Sequence, residues 1–215
     1  MSRFIVIGLG NFGSNVAAAL YEAGHDVAAL DLREEVVDEI APRVSRSAVG
    51  DGTSAAVLER IGAKDADVAI VSTGDDIAAS VLTVLALRDL DVNQVVVKVV
   101  SHDHARAMDR LGADETVFPE RDTALRLAKR IASTKILNYI DLGGGASIQE
   151  MAVPPEWTGK TLRQLQLPRR FKVSVVAVHD ALRDEMVIIP EPDARLKESD
   201  SLLLVARNED LDRLR

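Results

Sequence analysis

Apolar residues along the chain fall in short runs, and most runs are followed by a stretch with helical spacing. Residues 4–7, 27–31, 47–49, 68–71, 95–100 and 116–118 read as strands. Residues 11–23, 34–40, 55–61, 77–87 and 104–111 read as the helices between them. Gly24, Gly62 and Gly112 stand where three of these helices should stop, and Pro42 closes a fourth. The run 68–71 does not alternate, as expected of a strand buried on both faces. This alternation predicts an α/β fold: a Rossmann-like, doubly wound parallel sheet of six strands. In 77–87, Ile77, Val81, Leu82, Val84, Leu85 and Leu87 cover most of the circumference. Such a helix is either deeply buried or seated at a subunit interface.

After Phe118 the pattern changes. Residues 121–135 form a long helical stretch with Leu125, Ala128, Ile131 and Ala132 on one face. Residues 136–140 read as its continuation beyond a bend. Gly143-Gly144-Gly145 reads as a flexible linker. Strands at 147–153, 173–178, 186–189 and 201–206, with helices at 161–165 and 209–214, then make a small α+β unit. The expected division is residues 1–140 and 141–215.

Candidate chemistry begins where the first strand ends. Gly8-Leu9-Gly10-Asn11-Phe12-Gly13 is a G-x-G-x-x-G set between strand and helix, and the second strand ends in Asp31. In a dinucleotide-type site Gly8 makes the tight turn, Gly10 lets the backbone approach a pyrophosphate, and Gly13 lets helix and strand pack. The helix start offers free N–H groups to phosphates, and Asp31 can accept from a ribose diol. The same glycines would also serve a plain βα turn. Gly50-Asp51-Gly52-Thr53 follows the third strand. Asp51 suits ligand amines or hydroxyls and Gly52 permits close approach, while an N-cap turn before the next helix needs the same residues. Thr73-Gly74 is placed to wall a base. Lys98 lies in an apolar strand, and a buried lysine wants a phosphate or a carboxylate. Glu120 opens the long helix, either as dipole compensation or as an oxygen ligand to a cation beside phosphates.

Composition narrows the function. Of 215 residues, 47% are hydrophobic and 28% charged, enough for a packed core. A net charge of -8 argues against nucleic acid as the main partner. Without cysteine there are no disulfides and no thiolate chemistry. The chain enters a strand at once, with no signal-like segment, and 77–87 is shorter than the ~20 residues of a membrane span. A cytoplasmic protein is expected, with any membrane role routed through a partner. His25, His102, His104 and His179 are expected at the solvated surface and not as a site. No Ser/His/Asp set or H-E-x-x-H motif stands out. A dehydrogenase needs a general acid or base and a substrate pocket, and the second unit offers no obvious constellation for either. Arg169-Arg170-Lys172 suits an anionic ligand, an acidic partner or a solvated loop.

Nearly the whole chain resembles the KtrA/TrkA type of cytosolic regulatory subunit of bacterial potassium uptake. The first unit resembles an RCK (regulator of potassium conductance) N-terminal domain. The marks are residues 7–13, Gly50-Asp51-Gly52-Thr53, Gly112-Ala113-Asp114 with Pro119-Glu120, and Leu137-Asn138-Tyr139-Ile140-Asp141. The second resembles an RCK C-terminal domain through Gly159-Lys160-Thr161-Leu162, Val175-Val176-Ala177-Val178, Pro190-x-Pro192 and Asp200-Ser201-Leu202-Leu203-Leu204-Val205. The resemblance implies binding of ATP, ADP or NAD(H) without turnover. It implies Gly8, Gly10, Asn11, Phe12 and Gly13 at the phosphates and Asp31 at the ribose, with Leu32 beside it. Asp51, Gly52, Thr73, Gly74 and Lys98 would line the pocket, and Glu120 would hold Mg2+ or another cation. It also implies homodimers formed through the helices after the sixth strand, assembled into a homo-octameric ring. That ring would sit at the inner face of the membrane on a K+ transport subunit of the KtrB/TrkH type. Cyclic di-AMP would bind at a dimer interface of the second unit. Two positions depart from the family: Asn11 stands where an arginine often meets the terminal phosphate, and Pro168 stands near where the second unit often has an arginine. The competing readings are an NAD-dependent oxidoreductase and a regulator of a K+ efflux or antiport system.

Overall fold

The computed structural model describes residues 1–74, 76–131 and 136–214, in two compact units that divide between Glu120 and Arg121. In the first unit, strands β1 (Arg3–Ile7), β2 (Asp26–Asp31), β3 (Arg46–Val49), β4 (Val68–Val71), β5 (Gln94–Lys98) and β6 (Glu115–Val117) form one parallel sheet. Their order is β3-β2-β1-β4-β5-β6. Helices α1 (Asn11–Glu22), α2 (Glu34–Ile40), α3 (Ala55–Arg60), α4 (Ile77–Asp89) and α5 (His102–Arg110) connect them, and α6 (Pro119–Ile131) starts after β6 and belongs, from Arg121 on, to the second unit. The order reverses between β1 and β4, which makes a crevice at the carboxyl ends of those strands. This is the expected doubly wound sheet.

Apolar residues cover both faces of the sheet. Ile5, Ile7, Leu30, Leu58, Leu87 and Met108 belong to one core, and Val6, Ala17, Val27, Val37 and Ile40 to the other. Ile5, Val6 and Ile7 are all buried, which is why 4–7 reads as a continuous apolar run. Two helix starts of this unit carry side-chain caps. Asp76 Oδ1 accepts from the Ala79 N–H at 2.8 Å before α4, and Ser101 Oγ accepts from the His104 N–H at 3.1 Å before α5.

One expectation for this unit is corrected, and one of two alternatives falls. His104 is not solvated: it is 2% exposed. Its Nδ1 accepts from the Val100 N–H at 3.4 Å, so Nε2 carries the proton toward Ser80 Oγ at 3.2 Å. Burial lowers its pKa. Of the two readings of helix α4, deep burial within the chain does not hold, because Ile77, Leu82 and Leu85 are 43%, 51% and 40% exposed.

The second unit is an antiparallel sheet of β7 (Ile136–Gly143), β8 (Ala146–Ala152), β9 (Ser174–Asp180), β10 (Glu185–Ile188) and β11 (Asp200–Arg207), in the order β10-β9-β11-β8-β7. Helices α7 (Leu162–Leu165), α8 (Leu167–Phe171) and α9 (Asn208–Asp212) complete it. Met151, Trp157, Leu165, Leu167, Leu202, Leu204 and Leu211 form its core. Thr161 and Gln164 make a capping box at α7.

Here too the structure corrects the sequence reading. Residues 136–140 continue no helix; they pair with β8, Tyr139 opposite Gln149 and Ile140 opposite Ile148. A short apolar run fits a strand or a helix equally well, and the neighbouring strand decides. Gly143-Gly144-Gly145 is no linker but the hairpin turn between β7 and β8. Its φ values of 77°, 60° and 78° lie in the left-handed region that glycine enters without strain. Arg169 and Arg170 lie on α8, which the pattern did not predict. Residues 132–135, including Ala132 of the predicted apolar face, lie outside the described residues.

Candidate functional site

A cavity of about 490 Å³ opens at the crevice between β1 and β4. The turn after β1 is shaped by contacts that a side chain would break. Gly8 has φ +90°, and a Cβ there would lie 2.1 Å from the Ser72 carbonyl oxygen. A Cβ on Gly13 would lie 1.9 Å from the Gly8 carbonyl oxygen. Gly13 therefore packs helix on turn and does not line the cavity. Gly10 does line it, and a Cβ there would meet nothing within 4 Å. Asn11 and Phe12, also in the lining, begin α1. The first turn of α1 carries no acid, so its orphan N–H groups and dipole favour an anion.

Asp31 faces this turn with its side chain 9% exposed. Oδ2 accepts from the Leu9 N–H at 2.6 Å; Oδ1 accepts from the Arg33 N–H at 2.9 Å and from Arg33 Nε at 3.2 Å. Burial pushes the Asp31 carboxyl up, but those bonds and the guanidinium outweigh it and hold the group below its usual value. Asp31 thus ties the glycine turn to β2 and stays anionic. Three of its roughly four acceptor sites are taken, and Oδ2 keeps capacity for a ribose hydroxyl. Leu32 is 68% exposed on the cavity rim.

Asp51 Oδ1 accepts from the Thr53 N–H at 2.9 Å and from the Thr53 hydroxyl at 2.7 Å, which lowers the Asp51 pKa. The residue makes a local turn and does not cap α3, whose N-cap is Ser54. Gly52 closes on β1: a Cβ there would lie 2.4 Å from Ile7 Cγ2. Across the cavity, the Thr73 hydroxyl donates to the Asp76 carbonyl at 3.3 Å, and Gly74 follows with φ +68°.

Lys98, with its side chain 12% exposed, places Nζ 2.6 Å from Glu120 Oε1. Its partner is thus the carboxylate alternative, and the bond holds Glu120 below the usual carboxylate range. The pair lies on the cavity wall. Among the described residues no three His, Asp or Glu side chains converge as a metal site. Glu120 offers one carboxylate, a donor set that suits Mg2+ only when phosphate oxygens and water complete the shell.

Of the predicted site residues, all but Gly13 line the one cavity. Sequence reasoning missed Arg33, Ser72, Asp76, Ala79 and Thr83. The last three had a signal: spaced by three and four, they share one face of α4 from its cap onward.

A polar cluster in the second unit was also missed. Glu150, 8% exposed, accepts from Ser201 Oγ and Asn138 Nδ2, both at 2.5 Å, and lies 3.4 Å from His179 Nδ1. His179 Nε2 lies 3.2 Å from Asp184 Oδ1. Burial pushes Glu150 up, but the three bonds outweigh it and lower its pKa. Asp184 first, then Glu150, raise that of His179. His179 is therefore not a simple surface histidine.

Residues 4–119 match the TrkA-N domain and residues 148–215 the TrkA-C domain. The chain is 34% identical over 211 residues to Ktr system potassium uptake protein C of Bacillus subtilis (strain 168), spanning 98% of this chain and 95% of that protein. This chain belongs to the TrkA family. The Ktr system potassium uptake protein A of Vibrio alginolyticus, another TrkA-family relative, is 31% identical over 97% of this chain and 94% of its own length. Among solved structures, the GsuK RCK domain shares the fold, with a TM-score of 0.53 at 23% identity over 99% of this chain and 45% of its own. The GsuK channel bound to NAD aligns with a TM-score of 0.54 at 23% identity, over 99% of this chain and 37% of that one.

Proposed function

We propose that this TrkA-family chain is the nucleotide-sensing regulatory subunit of a potassium-uptake system and does not turn its nucleotide over. The observation that carries the reading is one cavity in which an acid-free helix start meets Asp31 across a glycine turn. That arrangement suits the phosphates and ribose of ATP, ADP or NAD(H), and the NAD-bound GsuK channel lends it support. Lys98 would turn toward terminal phosphates, and Glu120 would complete a Mg2+ shell with them. A nucleotide would act by favouring the assembly geometry in which it gains most contacts.

Assembly is the finer part of the proposal. The exposed Ile77, Leu82 and Leu85 of α4, and Leu125 and Leu127 of α6, are apolar surface for further copies of this chain, as in a dimer-based octameric ring. Among the described residues no helix is long and apolar enough to cross a membrane. A separate membrane subunit would supply the pore, with this chain peripheral to it. The deciding experiment is calorimetric titration of nucleotide-stripped protein with ATP, ADP and NADH, with and without Mg2+. Binding without consumption of the nucleotide is expected; binding of none of the three overturns the reading. Cyclic di-AMP belongs in the same titration, with Arg169 and Arg170 of α8 as its candidate contacts.

A further inference from the structure

Thr83 is unlike the other residues around the cavity. It lies on α4, on the face shared with Asp76 and Ala79, and it is 0% exposed. Its Oγ1 has no hydrogen-bond partner within the described protein. A helical threonine usually returns its hydroxyl to the carbonyl one turn back; this one does not. An unpaired buried hydroxyl destabilises the fold, and valine would fill the same space without that cost. The neighbouring polar side chain on the helix is not a partner, because Ser80 is engaged with His104 and Met108.

The location of this hydroxyl indicates what could satisfy it. A Cβ on Gly52 would lie 3.6 Å from Thr83 Oγ1 and 2.4 Å from Ile7 Cγ2. Thr83 thus sits beneath the Gly52 turn, beside Ile7, in the lining of the cavity. Phosphates belong at the glycine turn and a ribose diol at Asp31. The rest of the lining, beside Thr53, Ser72, Thr73 and Asp76, includes an apolar floor of Ile7, Leu30 and Ala79, with the unpaired Thr83 hydroxyl buried just under its surface. A flat apolar body with a hydrogen-bonding edge fits that floor, and a nucleobase is such a body. We propose that the Thr83 hydroxyl reads the edge of the nucleobase, donating to a ring nitrogen or accepting from an exocyclic amine. This rests on the nucleotide reading of the cavity.

Thr83→Val and Thr83→Ser, each titrated with ADP, ATP and NADH, test the assignment together with the melting temperature of the nucleotide-free protein. The three ligands share the adenosine half. Thr83→Val should weaken all three by the same factor, about three- to tenfold. It should not lower the melting temperature of the free protein and should raise it by about 2–4 °C. Thr83→Ser should restore affinity. Unchanged affinity in Thr83→Val overturns the assignment, as does a loss that grows with phosphate number. A fall in the free protein's melting temperature also overturns it, because the hydroxyl would then have a structural partner. If the unmodified protein binds none of the three, the nucleotide reading itself fails and the Thr83 assignment falls with it. Binding by the unmodified protein, matched by Thr83→Val, refutes Thr83 alone.

Discussion

Gly10 and Gly13 lie in one turn and answer to different neighbours. A Cβ on Gly13 would collide with backbone at 1.9 Å, whereas one on Gly10 would meet no protein atom. Gly13→Ala should therefore destabilise the protein by about 1–3 kcal/mol, as overpacking does. Gly10→Ala should cost no more than about 1 kcal/mol, the scale of a weakened N-cap, and should still lose nucleotide affinity more than tenfold. Denaturant melts and calorimetry separate the two; equal effects on both measurements would deny Gly10 its place at the phosphates. Lys98 and Glu120 give the second residue-scale prediction. Their contact at 2.6 Å sets the ammonium against a carboxylate that a phosphate can replace. Glu120→Ala should raise ATP affinity in the absence of Mg2+ and remove the Mg2+ effect. A Mg2+ effect that persists in the variant places the cation elsewhere.

At the scale of the element, α4 carries two faces with different tasks. One face buries Val84 and Leu87 in the core and brings Asp76, Ala79 and Thr83 to the cavity. The other leaves Ile77, Leu82 and Leu85 half exposed. Because these side chains pack little within the chain, Leu82→Ser with Leu85→Ser should leave the folded protein intact by circular dichroism. The same pair should lower the assembled mass by light scattering, since their burial by another copy is lost. An unchanged mass would move the interface off α4. The helix also links the two properties: whatever packs on its outer face bears on the element that holds one wall of the cavity.

At the scale of the whole molecule, the units have separate cores, and their responses should separate as well. A saturating nucleotide stabilises the unit it binds, by about 2.7 kcal/mol at a hundredfold excess over Kd. Calorimetric melting with ADP should raise the transition of the first unit and leave that of the second in place. The second unit should instead answer to pH. The raised pKa of His179 means that its pairing with Asp184 and Glu150 contributes fully below the ordinary histidine value of about 6.5 and is lost as pH rises through the raised value. Glu150 has a lowered pKa, so its contribution is present above the ordinary glutamate range and is lost as pH falls through the lowered one. The melting temperature of the second unit should fall on the alkaline side of 6.5, and His179→Gln should flatten that slope. A slope unchanged by the substitution would remove His179 as its source.

Much of the first unit was legible in the sequence because its determinants are local. Apolar runs of strand length, helices closed by glycine, and a glycine turn ahead of Asp31 each report on a few consecutive residues. The parallel sheet follows from their alternation. What the tertiary structure alone decided involves partners distant in the chain. Residues 136–140 became a strand because β8 lies beside them, and the glycines after them became its turn. His104 is buried where Ser80 of another helix meets its ring. Lys98 met Glu120 from another element, and Asp31 spends bonds on the Leu9 backbone before any ligand arrives. Local pattern determines which segments form and which face each presents; whether a polar atom is paired, and with what, is settled only when segments far apart in sequence are packed together.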